Sequence, residues 1–299
     1  MGVLRMVFNM RRKLAIIGLT VVTAIWGGGF VASDIALGSF APMQIMTIRF
    51  AIAALVMLVI SAKQFTVINY KEILAGVGMG VALFAGFSLQ TFGLQYTTPS
   101  KNAFITSLNV VIVPFLSMFL FKKRVGLKEI VGAILSVLGV AILSLSNNFT
   151  ISFGDLLTLL CALGFASQIV LTGIFVKVYR PNVLNCIQMC TAFLLSFVVM
   201  QFTGECHWIA SPNGWISVIY LGFISTTVCY LLQTACQKYV NETQSAIVLS
   251  LEAVFGTLFS IILLNEIVTI RMIIGSAIIL CAVLISSLPS SFIRRSTKE

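Results

Sequence analysis

Residues 244–266, QSAIVLSLEAVFGTLFSIILLNE, form an apolar run of helix length with one carboxylate, Glu252, near its middle. The run has a twin. Moved back by 143 positions it falls on residues 101–123, KNAFITSLNVVIVPFLSMFLFKK. Ala246, Ser250, Leu251, Val254, Ser260 and Leu263 then meet Ala103, Ser107, Leu108, Val111, Ser117 and Leu120. The same offset holds without a gap from Leu89 to Leu145, where 17 of 57 positions are identical. A composition this apolar gives roughly five by chance. Leu89-Gln90-Thr91 meets Leu232-Gln233-Thr234, and Tyr96 meets Tyr239. The chain reads as one unit written twice, in residues 1–148 and 149–299. The copies differ at one informative position: Asn109 in the first is Glu252 in the second.

The chain has 299 residues, of which 59% are hydrophobic and 9% charged, and a mean hydropathy of +1.07. Soluble domains carry about 25% charged residues, so this composition is that of a polytopic membrane protein. The net charge of +10 does not imply nucleic acid, because the basic residues sit in short clusters between apolar runs. Most of the seven cysteines lie inside apolar runs, where a thiol behaves as a small hydrophobe. Cys186 and Cys190 are one helical turn apart, yet no histidine or third cysteine completes a metal site. Neither a metal nor a cofactor is expected. Arg11-Arg12-Lys13 followed by an apolar run imitates a secretion leader. The run continues to about Leu37 with no clear small-residue cleavage site, so it reads as a retained first helix.

Ten segments are long enough to cross a bilayer, each near the ~20 residues a span needs. They cover residues 14–37, 43–62, 72–95, 100–121, 128–146, 154–177, 182–203, 214–236, 243–264 and 270–288. Pro42, Thr98-Pro99, Pro181 and Pro212 stand where helices should start, and Asn241 with Gln244 resembles a capping box. With the N-terminus inside, 16 lysines and arginines fall on the inner side and two, Lys101 and Arg271, on the outer. This positive-inside asymmetry places both termini in the cytoplasm. Each copy then has five spans. Five is odd, so the second copy enters from the opposite face. The fold expected is an all-α integral membrane protein of ten helices in two inverted five-helix repeats, an architecture suited to alternating access. A duplication that only builds a stable bundle is the alternative.

Reaction chemistry is poorly represented. No lysine precedes a serine or threonine as a Walker A loop requires, and the single histidine, His207, falls in an outer loop. An enzyme is not expected. The intramembrane polar residues carry more. Glu252 lies about 14 Å into its span, near the midplane of a ~30 Å core, and Asn109 reaches a similar depth from the other side. A carboxylate there costs roughly 2.5–3.5 kcal/mol on the mildest scale, so a partner, a cavity or a proton must offset it. A structural hydrogen bond to a neighbouring helix is the competing role. Arg49 lies about 9 Å below the outer face, able to reach outward or to pair with an acid. Gln90 and Gln233 are repeat mates that, with Gln168 and Trp26, could line a polar-aromatic pocket. Glu266 ends a span and suits an interfacial anchor. Gly27-Gly28-Gly29 in mid-span imply either close packing or a flexible wall.

These residues resemble the drug/metabolite transporter superfamily, in its ten-helix EamA-type members. Trp26-Gly27 with Phe30 is similar to the family's W-G-x-x-F, and Arg49-Phe50-Ala51 to its R-F-x-x-A. Pro114 stands where the fourth helix has proline, Glu252 where the ninth often has Glu-Pro, and Glu266 where an acid closes the repeat. Ala253 in place of that proline, and Lys123 in place of the first repeat's acid, depart from the pattern. The resemblance implies a central cavity and exchange or efflux of small metabolites, often amino acids. The leading expectation is a secondary transporter of an amino-acid-like or related metabolite in the cell's inner (plasma) membrane. A non-transporting scaffold or receptor is the alternative. The expected partners are the bilayer, a small-molecule substrate and, as a candidate coupling ion, protons; nucleic acid is not expected. The chain is expected to act as a monomer or homodimer.

Overall fold

The computed structural model describes residues 2–122, 126–144, 152–204 and 208–287. Lys123, the boundary at 148/149, His207 and the basic residues Arg294, Arg295 and Lys298 lie outside them. The described residues are helical, with no strand among them. In chain order the helices are α1 (Gly2–Leu37), α2 (Pro42–Ser61), α3 (Tyr70–Leu94), α4 (Pro99–Thr106), α5 (Asn109–Phe121), α6 (Leu127–Ser144) and α7 (Phe153–Phe175). They continue as α8 (Pro181–Thr203), α9 (Pro212–Tyr220), α10 (Cys229–Gln237), α11 (Glu242–Leu249), α12 (Glu252–Leu264) and α13 (Ile270–Ser287). A wide π-turn, Leu221–Val228, joins α9 to α10 without a break in direction, and a 3₁₀ turn, Ala62–Val67, follows α2.

Eight helical stretches are long and apolar enough to cross a membrane: α1, α2, α3, α4–α5, α7, α8, α9–α10 and α11–α12. The other two expected spans, α6 and α13, carry shorter apolar stretches, Ile130–Ile142 and Ile270–Ile285. Both helices run to the edge of the described residues. Leu55, Val59, Phe119 and Phe202 point away from the bundle, as apolar side chains in contact with lipid should.

The starts follow from local chemistry. Proline occupies the first turn of α2, α4, α8 and α9, where its missing N–H costs nothing. Thr98 caps α4 through the Lys101 N–H, and Ser211 caps α9 through that of Gly214. Asn241 caps α11 by accepting from Gln244 N at 2.7 Å. Only half of the expected capping box forms there, because the Gln244 side chain accepts instead from Arg12 Nη2 of α1 at 2.9 Å.

The two halves interleave. α1 packs along α12, α3 along α7 and α8, α2 along α8, and α6 along α13. Small residues permit these approaches. A Cβ on Gly27 would sit 2.5 Å from Phe255 Cβ and 2.8 Å from Gly256 N, and one on Gly139 2.7 Å from Ile279 Cγ1. The mid-span glycines are thus a packing device, and α1 passes through them unbroken.

Two helices are interrupted at matching places. α4 gives way to α5 at Ser107-Leu108, and α11 to α12 at Ser250-Leu251. Each pair has ψ between −15 and −12°, the 3₁₀ rather than the α value. Val110 N bonds Ser107 O and Ala253 N bonds Ser250 O, both three residues back. Ser107 Oγ donates to Phe104 O and Ser250 Oγ to Ile247 O, each at 2.7 Å. These bonds take up carbonyls that the tightened turn releases. The break beside Glu252 therefore forms without proline, from a serine that both copies share.

Candidate functional site

The interruptions put Asn109 and Glu252 at the first positions of α5 and α12, deep in the bundle. The amino end of a helix carries partial positive charge, which complements an acidic side chain at Glu252. Both residues face one cavity of about 600 Å³, counting the space at its mouth. All seven residues singled out from the sequence line it: Trp26, Arg49, Gln90, Asn109, Gln168, Gln233 and Glu252. They come from α1, α2, α3, α5, α7, α10 and α12, so both halves of the chain build the wall. Trp26, Ser33 and Gln90 are half-buried, whereas Arg49, Asn109, Gln168, Gln233 and Glu252 are buried. The cavity therefore opens at the end where α1 and α3 terminate and closes beneath Gln168 and Gln233.

Arg49 neither reaches the surface nor pairs with an acid. It is 2% exposed, and among the described residues it has no ion-pair partner. Its Nε donates to Thr226 Oγ1 at 2.8 Å, and its guanidinium lies 4.0 Å from the Phe87 ring centroid. Stacking on an aromatic face suits a planar cation taken out of water. The π-turn presents Thr226, and one residue earlier Ser225 O accepts from Trp26 Nε1 at 2.8 Å. Wide turns of this kind recur at functional sites. Trp26 leans on Tyr230 with centroids 5.2 Å apart, and Phe87 meets Phe165 edge to face at 4.9 Å. The wall is aromatic with a few polar groups set into it, the usual constitution of a small-molecule pocket.

Glu252 is 6% exposed, and no hydrogen bond or ion pair reaches its carboxylate among the described residues. Asn109 Oδ1 and Gln233 Oε1 are also buried without a partner among the described residues. Gln90 Nε2 donates to Thr106 Oγ1 at 3.2 Å, and Gln233 Nε2 to Gln168 Oε1 at 3.4 Å. One cavity thus holds a buried cation and a buried carboxylate, neither paired, and two idle amide acceptors. Among the described residues no cluster of histidine, cysteine, aspartate and glutamate could hold a metal ion.

Sequence reading missed the aromatic wall of Phe87, Phe165 and Tyr230, since an aromatic residue in a membrane span carries no mark of which way it faces. It gave Glu266 a place at a span end but not its partners: that carboxylate accepts from Ser100 N at 3.3 Å, from Ser100 Oγ at 2.7 Å and from Ser260 Oγ, and so ties α12 to α4.

Residues 13–145 and 152–288 each match the EamA-like transporter family. An uncharacterized transporter of Archaeoglobus fulgidus is 35% identical over 280 residues, covering 94% of this chain and 88% of the relative. A protein of Escherichia coli named a probable amino-acid metabolite efflux pump is 26% identical over 292 residues, covering 93% of this chain and 95% of its own. A solved crystal structure shares the fold with a TM-score of 0.68 at 16% identity, covering 95% of this chain and 98% of that one.

Proposed function

The chain belongs to the EamA-like transporter family, and from that premise we propose that it is a secondary active transporter of a small, amino-acid-like metabolite. It works by alternating access, in efflux or exchange, across the cytoplasmic membrane. The carrying observation is the convergence of Arg49 and Glu252, both buried and without an ion-pair partner among the described residues, on one cavity built from both halves of the chain. A buried charge without a partner is costly, and a ligand bearing complementary charges removes that cost for as long as it is bound.

In this reading the ten helices are two inverted five-helix repeats with both termini in the cytoplasm. The matched breaks at Ser107-Leu108 and Ser250-Leu251 support it, because discontinuous helices at a repeat interface are where such carriers bind their cargo. The cavity then faces the outer side. The inner side is held shut by Lys177 to Glu242 at 3.0 Å, by Arg180 to Glu72 at 2.6 Å and by Arg12 to Gln244 at 2.9 Å. Glu252 is the group proposed to carry a coupling proton.

Counterflow tests the reading. Purified protein in proteoliposomes loaded with single unlabelled amino acids or their decarboxylated and deaminated analogues should take up the matching labelled compound. Uptake no greater than in empty liposomes, for every compound and with the protein inserted in both orientations, favours the scaffold or receptor alternative.

A further inference from the structure

Beneath the cavity four side-chain amides form a chain, each donating to the next. Gln233 Nε2 donates to Gln168 Oε1 at 3.4 Å, and Gln168 Nε2 to Gln188 Oε1 at 3.3 Å. Gln188 Nε2 donates to Asn185 Oδ1, and Asn185 Nδ2 ends the chain on Met57 Sδ at 4.0 Å. All four amides and Met57 are at most 1% exposed. Gln233 and Gln168 line the cavity; Gln188, Asn185 and Met57 do not.

An amide is a donor at one end and an acceptor at the other, and turning it over exchanges the two. The far end of the chain selects one direction. A thioether has no hydrogen to give and can only accept. Asn185 therefore turns its NH₂ to Met57, which leaves its oxygen for Gln188. Gln188 in turn offers its oxygen to Gln168, and Gln168 its oxygen to Gln233. Thr172 Oγ1, which accepts from Gln168 Nε2 at 3.0 Å, does not decide the direction, because a hydroxyl both gives and accepts. The consequence appears at the near end. Gln233 has committed its NH₂, and its Oε1, on a side chain 0% exposed, is left without a partner beside the cavity. Asn109 Oδ1 and Glu252 are further acceptors on the same wall.

We infer that Met57, Asn185 and Gln188 are specificity-determining residues that never touch the ligand: they hold Gln233 as an acceptor, and the ligand seats a protonated amine against Gln233, Asn109 and Glu252. The ligand half of this inference rests on the transport reading above; the amide polarity does not. Reversed, the same chain would present an NH₂ at Gln233 and select an acceptor such as a carboxylate.

The test has two arms, both on the full chain in lipid nanodiscs. In the first, glutamine side chains are ¹⁵N-labelled and assigned by single Gln→Glu replacements. Met57→Leu, a swap of similar volume, and Asn185→Leu should both move the NH₂ resonances of Gln168 and Gln233. The resonance of Gln90, which bonds Thr106 outside the chain, should stay. A Gln233 resonance unmoved in both variants overturns the inference, whatever the protein carries. In the second arm the probes are L-leucine and 4-methylpentanoate, which has the same skeleton without the amine. Wild type should prefer leucine, and the preference should fall about five- to tenfold in both variants, the worth of one hydrogen bond. An unchanged preference in a variant whose Gln233 resonance has moved overturns the amine assignment. Failure of wild type to bind either probe counts against an amino-acid-like substrate, and the resonances then decide the amide polarity alone.

Discussion

Glu266, just beyond the end of α12, accepts hydrogen bonds from both the backbone N–H and the hydroxyl of Ser100 in the first turn of α4. One carboxylate oxygen thus satisfies a free donor of a helix start in the other half of the chain, while the second oxygen is buried without a partner among the described residues. The two residues should be energetically coupled. Glu266→Ala and Ser100→Ala should each lower stability by about 1–3 kcal/mol. The double variant should fall short of the sum by at least about 0.5 kcal/mol. Strict additivity in denaturant unfolding of the purified protein would show that the contact carries no weight.

The glycines give a paired test of packing. A methyl on Gly27 would collide with Phe255 and with the backbone of Gly256, so Gly27→Ala should force α1 away from α12 and lower the melting temperature. Gly78 has no atom within 4 Å of its would-be Cβ, and Gly78→Ala should be neutral or stabilising by up to about 1 kcal/mol. Equal effects of the two substitutions would contradict the α1–α12 contact.

The proposed orientation is open to labelling. Asn213 and Val178 are exposed at opposite ends of the bundle, in the first turn of α9 and in the turn after α7. In a background without native cysteines, Asn213→Cys should react with an impermeant thiol reagent added outside intact cells, and Val178→Cys should not. The reverse pattern would invert the topology.

Glu252 separates coupling from binding. If it carries the proton, Glu252→Gln should abolish pH-gradient-driven accumulation yet retain part of substrate exchange, since a permanently neutral side chain still permits reorientation. If Glu252 instead holds the substrate amine alone, both activities should fail together. A purified variant that still accumulates substrate against its gradient, with the wild-type dependence on pH, ends the proton-carrier proposal.

Much of this arrangement is legible in the sequence because a bilayer punishes polar groups. A glutamine inside a span is driven inward, so Gln90, Gln168 and Gln233 stand out from their places in the apolar runs, whereas Arg49, long enough to reach outward, does not declare its direction. The interruptions were half-visible, as serines shared between the copies at 107 and 250. What could not be read depends on tertiary neighbours. Nothing local to Arg49 says that Phe87 will lie over its guanidinium, and nothing in residues 221–228 marks a π-turn. Met57 gives no hint that its sulfur faces Asn185, because the two meet only when α2 packs on α8.

The tightened turns before Asn109 and Glu252 also amount to a winding mechanism. A 3₁₀ residue advances about 120° and 2.0 Å along the axis, an α residue about 100° and 1.5 Å. Relaxing the two residues Ser250-Leu251 into α geometry would swing Glu252 about 40° around its helix and draw it back about 1 Å. Neither step needs a change of rotamer. α5 and α12 run from opposite ends of the bundle in the proposed topology, so relaxing both turns together would rotate Asn109 and Glu252 as counter-turning screws.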